Sequence, residues 1–208
     1  MIAALADLRG RLGYQAVSLG VVALLASAAL VDAHRRTAGP IAAAEERDLQ
    51  ASLAQVLPAG YADNNLLADL ARIDDGCTRR TVHRARKGGK VAAAVFRHGA
   101  RGYAGEIAIL MAVDARGTLL GVRVVKHAET PGLGDKIEPA KSDWMLRFAG
   151  RSLDDPRPSG WAVKKDGGVF DQFAGATITP RAVVKAVKAG LEFFAAHRAE
   201  ILDQGDAR

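Results

Sequence analysis

Arg11 and Asp32 bracket LGYQAVSLGVVALLASAALV, a run of 20 residues without a charge. A helix of that length, at about 1.5 Å per residue, spans roughly 30 Å, the depth of the hydrocarbon core of a bilayer. A helix apolar all round must be buried in protein or in lipid, so this run constrains the fold more than any other feature. Two readings are open. A cleaved signal peptide has a shorter apolar stretch and a small-residue cleavage site, which Ala26-Ser27-Ala28 imitates. The uninterrupted length favours a retained anchor over residues 12–31. Charge does not orient it, because Arg9 and Arg11 precede the span and Arg35 and Arg36 follow it.

After the span, residues 32–57 read as a helical connector rich in Ala and Glu, broken by the stretch from Pro58 to Asp63. The remainder, 58–208, has the length and composition of one domain, since 49% of the 208 residues are of hydrophobic type. The single cysteine, Cys77, excludes an internal disulfide and any cluster held by several thiolates. Net charge is +6, and the segment Arg79 to Arg101 holds eight Lys/Arg with no Asp or Glu. No nucleic-acid motif or aromatic interleaving accompanies that segment, so it reads as a solvated basic face or a partner surface. Walker, dinucleotide-binding and nucleophile-elbow motifs are absent, as is an assembled Ser-His-Asp or Cys-His set. Redox chemistry, if present, must come from an organic cofactor.

Element signals place the rest. IAILMAV (Ile107 to Val113) and TLLGVRVV (Thr118 to Val125) are strand candidates joined by a hairpin loop at Asp114 to Gly117. ETPGLGDK is irregular, SDWMLRFAG is a short amphipathic helix, and WAVKKDGGVF reads as a strand with a turn. Trp144 and Trp161 suit a core better than a ligand stack. Ala182, Val183, Ala186, Val187, Leu191 and Phe194 recur at helical spacing, with Thr179 as the expected N-cap and Pro180 at the first helical position. The expected class is α+β, a single N-terminal transmembrane helix followed by one domain of mixed sheet and flanking helices.

Just ahead of that helix, Ala174, Gly175 and Ala176 lead into Thr177. A helix N-terminus presents unpaired N–H groups and partial positive charge, and so favours anions such as phosphate. The small residues would let a bulky group approach the Thr177 hydroxyl. An ordinary turn into a capped helix, with Thr177 in a local hydrogen bond, accounts for the same letters.

The stretch Asp171-Gln172-Phe173-Ala174-Gly175-Ala176-Thr177 resembles the flavinylation motif Asp-x-x-Ser/Thr-Gly-Ala-Thr of FMN-binding domains. VLPAGYADNNLL, GYAGEI, HAETPGLGDKI and WAVKKDGGVFDQFAGATITPRAVV, with the single N-terminal span, are similar to the RnfG (RsxG) family of Rnf-type ion-translocating electron-transport complexes. Ala174 stands where that pattern usually has Ser or Thr. The resemblance implies FMN joined covalently to Thr177 through a phosphoester, installed by a flavin transferase. It implies a cofactor site drawn from Gly175, Ala176, Thr179, Asp171, His127, Glu129, Thr130 and Lys165. On a strand His127 and Glu129 would share a face, but two such groups are too few for a metal site. Lys164 and Lys165 would support flavin or phosphate charge, or else lie at a solvated strand end. The implied protein is an electron relay among membrane subunits of such a complex. It would be single-pass in a bacterial inner membrane, with residues 1–11 as a short cytoplasmic tail, a periplasmic domain and no nucleic-acid partner. The alternative is a non-redox anchored assembly or ligand-binding module of the same fold.

Overall fold

The computed structural model describes residues 12–203 apart from Cys77, so the expected tail 1–11 and Cys77 lie outside the described residues. The chain divides into two compact units between Leu49 and Gln50. Helix α1, Leu12–Val56, runs unbroken through the expected junction of anchor and connector, with Pro40 inside it. Its most apolar window has a mean hydropathy of 2.1, and none of that window is buried within the protein. Val17, Leu19, Leu24, Leu25 and Leu30 all stand exposed. Side chains of this kind on every face need a non-aqueous surround.

The second unit opens with the last turns of α1, where Leu53, Val56 and Leu57 are buried. Pro58 ends the helix by restricting Leu57 and contributing no N–H. Five strands follow: β1 (Leu70–Asp74), β2 (Arg79–Lys87), β3 (Lys90–Arg101), β4 (Glu106–Asp114) and β5 (Leu119–Lys126). They form one antiparallel sheet in chain order. Helix α2, Ile178–Ala196, packs on β3 and β4, and the short α3, Arg198–Ile201, follows it. Phe96 of β3 meets Phe193 of α2 edge-on at 5.4 Å. Val56 lies against Gly121 of β5, where a β-carbon would meet the Val56 carbonyl oxygen at 2.5 Å.

β4, β5 and their tight connection match the sequence reading. Within the loop, Asp114 Oδ1 accepts from the N–H groups of Arg116 and Thr118 at 2.9 and 2.8 Å. The basic segment folds as the β2–β3 hairpin around Gly88-Gly89. Acids outside it neutralise part of its charge: Arg80 pairs with Asp75 at 2.8 Å and Arg86 with Asp69 at 2.5 Å. SDWMLRFAG forms a 3-10 helix, Asp143–Phe148, capped by Ser142 Oγ accepting from the Trp144 N–H at 3.0 Å.

WAVKKDGGVF is not the expected strand with a turn. It is a one-turn 3-10 helix, Lys164–Asp166, flanked by a single bridge between Val163 and Phe170. Gly168 presses so closely on Ala162 that a β-carbon would lie 1.9 Å from its carbonyl oxygen, a fold-back with no room for a pleated ladder. Trp144 and Trp161 are core residues, both buried and packed with Phe148, Phe170 and Phe173.

Candidate functional site

Three segments far apart in sequence converge on a cleft of about 310 Å³. Tyr103 comes from the β3–β4 turn. Glu129, Thr130, Leu133 and Gly134 come from the irregular segment after β5. Gly175, Ala176, Thr177, Ile178 and Thr179 come from the start of α2. The mouth is apolar, with Tyr103, Leu133 and Ile178 exposed at 71%, 44% and 48%. The floor is polar, because Glu129 and Thr179 are both buried.

Thr177 is partly exposed and occupies the N-cap position of α2, where its side chain accepts no capping hydrogen bond. The expected cap, Thr179, lies inside the first turn instead. Its hydroxyl donates to Glu129 Oε2, which draws it away from the helix end. Pro180, expected at the first helical position, is the third residue of α2 and has no N–H, so the first turn leaves the N–H groups of Ile178 and Thr179 without a side-chain cap from Thr177. Gly175 has φ +80°, a backbone conformation that disfavours a side chain, and a β-carbon there would stand 3.2 Å from Leu133 Cδ2.

Glu129 ties the three segments together. Its Oε1 accepts from the Ala104 N–H at 3.1 Å, while Oε2 takes the Thr179 hydroxyl. Two glycines make room for it. A β-carbon on Gly102 would lie 2.4 Å from Oε1, and one on Gly134 2.9 Å from both Glu129 Cβ and Thr179 Oγ1. Behind it, the Glu129 N–H donates to His127 Nδ1 at 3.2 Å, and His127 Nε2 lies 3.0 Å from Glu138 Oε1. An Nδ1 that accepts leaves Nε2 as the protonated nitrogen, which donates to Glu138. β5 ends at Lys126, so His127 and Glu129 do not share a strand face as expected. The proline and two glycines that follow carry the chain into a turn, closed by Leu133 and Gly134 N–H groups donating to the Thr130 carbonyl at 3.2 and 3.0 Å.

The cleft thus gathers Glu129, Thr130, Gly175, Ala176, Thr177 and Thr179, but His127, Asp171 and Lys165 are not in its lining. His127 stands behind Glu129. Asp171 braces the segment leading into Thr177: Lys164 Nζ lies 2.5 Å from Oδ1, and Arg147 binds Oδ2. The Lys164 ammonium first, then the Arg147 guanidinium, holds the Asp171 carboxyl below the usual carboxylate range. Arg181 of α2 grips Asp166 in a two-pronged pair at 2.6 and 2.5 Å, which lowers the Asp166 carboxyl in the same way. The Lys165 N–H donates to Gln172 Oε1 at 3.3 Å, and its ammonium adds to the lowering of Asp166. Sequence reasoning missed Tyr103, Leu133, Gly134 and Ile178. The available signal was the placing of glycines on either side of a large side chain, in GYAG and in the GLG that follows Pro131. Among the described residues no group of three or more His, Cys, Asp or Glu is placed to hold a metal ion.

Residues 102–192 match the family model described as the FMN-binding domain. The G-type subunit of the ion-translocating oxidoreductase complex from Cereibacter sphaeroides is 56% identical over 187 residues, which cover 88% of this chain and 84% of that protein. Its counterpart from Stutzerimonas stutzeri is 49% identical over 89% of this chain and 82% of its own. The crystal structure of Shewanella oneidensis NqrC covers 69% of this chain and 72% of that one, with 25% identity and a TM-score of 0.47. Such identity to the curated relatives, across more than four-fifths of both partners, makes this chain a member of the family of G-type subunits of the ion-translocating oxidoreductase complex.

Proposed function

We propose that the cleft holds FMN as a phosphoester of Thr177 Oγ1, and that the protein relays electrons between other subunits of a membrane complex. The observation that carries this reading is the position of Thr177, a partly exposed hydroxyl at the N-terminus of α2 on the rim of an amphipathic cleft. The residues present fit the group. The volume, about 310 Å³, lies at the lower end of small-ligand sites, which suits a ring held partly in the open. Tyr103, Leu133 and Ile178 offer apolar flanks to a planar ring. Gly175 and Ala176 leave the approach to Thr177 clear, and the first turn of α2 offers N–H groups to a phosphate. When bound, a flavin supplies one- and two-electron redox chemistry.

The chain's own residues do the rest. Thr177 supplies the acceptor oxygen. The α2 N-terminus contributes about 0.3–1 kcal/mol toward orienting an anion, too little to retain a free cofactor at low concentration, so a covalent bond has a purpose. Asp171, fastened by Lys164 and Arg147, fixes the segment that a flavin transferase must engage. Helix α1 anchors the chain in the inner membrane, with the domain on the periplasmic side.

Intact mass tests the attachment. Protein produced with a flavin transferase should be heavier by one FMN less the water lost in forming the ester than protein produced without it, and should keep its yellow colour after denaturation. Colourless protein of unmodified mass under both conditions would leave the assembly-module reading in its place.

A further inference from the structure

Glu129 is the sole charged side chain lining the cleft among the described residues, and it is negative. No Lys or Arg joins it there. Its side chain belongs to a residue only 5% exposed. Both oxygens accept hydrogen bonds, from the Ala104 N–H and the Thr179 hydroxyl, the pattern of an ionised carboxylate. Thr179 is the second residue of α2, so the positive end of that helix faces the charge and supports it. Space for it is reserved by two glycines that admit no β-carbon without a shift of Glu129, Ile107 or Thr179. A charge so placed, fixed and shielded from water acts strongly on whatever fills the cleft.

We propose that Glu129 is a built-in negative charge that opposes electron uptake by the cofactor in the cleft and so holds its reduction potential low. The inference rests on the flavin reading above and goes beyond it, to what this cleft does to the cofactor's energetics. Adding an electron to a neutral ring system places negative charge beside a fixed carboxylate. The two repel, and no Lys or Arg in the lining offsets the repulsion. Glu129 is at once a strut between Ala104 and Thr179 and the source of this field. The two roles separate in variants. In Glu129→Gln the amide oxygen still accepts from Ala104 and the amide N–H donates to Thr179 Oγ1, so the strut persists while the charge goes. In Thr179→Val the charge persists and one donor that offsets it goes.

The test is a reductive titration of full-length protein loaded with flavin in cells that also make a flavin transferase. Dithionite supplies the electrons through soluble mediators, and flavin absorbance reports reduction. Glu129→Gln should favour the reduced form at least tenfold, an upward shift of about 59 mV for a one-electron couple. Thr179→Val should leave the potential unchanged or lower it. Hydrogen exchange on unloaded protein should show the Ala104 amide equally protected in wild type and Glu129→Gln. An unmoved potential in Glu129→Gln, or an equal rise in both variants, overturns the proposal. If Glu129→Gln does not fold, Thr179→Val decides alone, because a rise there means that loosening of the cleft sets the potential. A wild-type protein without flavin removes the relay reading and this inference with it, and is told apart by its mass before any titration.

Discussion

The Thr179 hydroxyl donates to the Glu129 carboxylate across 50 residues of chain, and this bond assigns different duties to the two threonines of the Thr-Ile-Thr-Pro sequence. Thr177 is left facing the cleft, while Thr179 is consumed in the floor. Thr177→Val should fold normally and lose all covalent flavin. Thr179→Val should keep attachment but lose about 1–3 kcal/mol of stability, because a buried carboxylate oxygen forfeits its donor. In-gel flavin fluorescence after denaturation, with peptide mapping of residues 171–181 and urea unfolding, reads both. Fluorescence retained in Thr177→Val and lost in Thr179→Val would reverse the assignment.

Gly175→Ala should harm attachment more than stability. Its φ of +80° costs a side chain about 1–2 kcal/mol, and the added β-carbon crowds Leu133 at the mouth of the cleft. Ala174 is exposed, so Ala174→Ser should leave the melting temperature within error and attachment intact or improved. Equal yields of flavinylated protein from wild type and Gly175→Ala would show that the cleared approach is not needed.

Acid should weaken the domain through its histidines. Burial, then the Arg80 guanidinium 3.1 Å from Nδ1, pushes His98 below its ordinary value of 6.5. Burial also lowers His83, with the Leu66 carbonyl opposing and Arg97 adding to it. Below pH 6.5 the unfolded chain therefore takes up protons that the folded chain declines, so stability falls as pH drops through that value toward the depressed folded ones. The slope cannot exceed about 1.4 kcal/mol per pH unit for each histidine. His98→Gln keeps an acceptor for Arg80 and should flatten the decline between about pH 7.5 and 5.5. An unchanged slope in urea midpoints would exclude His98 as a source.

The helix α1 should hold the protein in membranes through carbonate extraction, with the N-terminus retained. For sidedness, Lys90→Cys in a Cys77→Ser background places a thiol at the exposed start of β3, beside the Gly88-Gly89 turn. An impermeant thiol reagent should label it once the outer membrane is opened. Labelling only after the inner membrane is breached would put the domain on the other side.

Periodicity makes α2, β4 and β5 legible, because each buries a regular set of strongly apolar side chains. β1 to β3 do not read as strands, for a physical reason. β2 is RRTVHRARK, three of whose cations, Arg80, Arg84 and Arg86, pair with Asp75 and Asp69 from outside the strand, and β3 buries Ala93 and Ala94, small residues without a strand signature. Local rules misplace the cap of α2 because they assign the Thr179 hydroxyl to its own helix, whereas Glu129 claims it from a distant loop. The site is half visible. The AGAT letters locate the rim, but Tyr103 and Leu133 join it through turns whose closure no local pattern specifies.

Because the walls of the cleft come from residues 102–105, 129–134 and 175–179, the pocket has no existence on a partly made chain. Its last wall is the beginning of the last long helix, and that helix must dock on β3 and β4 before Thr177 meets Tyr103 and Leu133. On the proposed attachment to Thr177, a formed cleft can receive the flavin ring only once α2 has been made and has docked. Colour would then report completed assembly, and a chain cut anywhere before α2 should stay pale however much transferase is supplied.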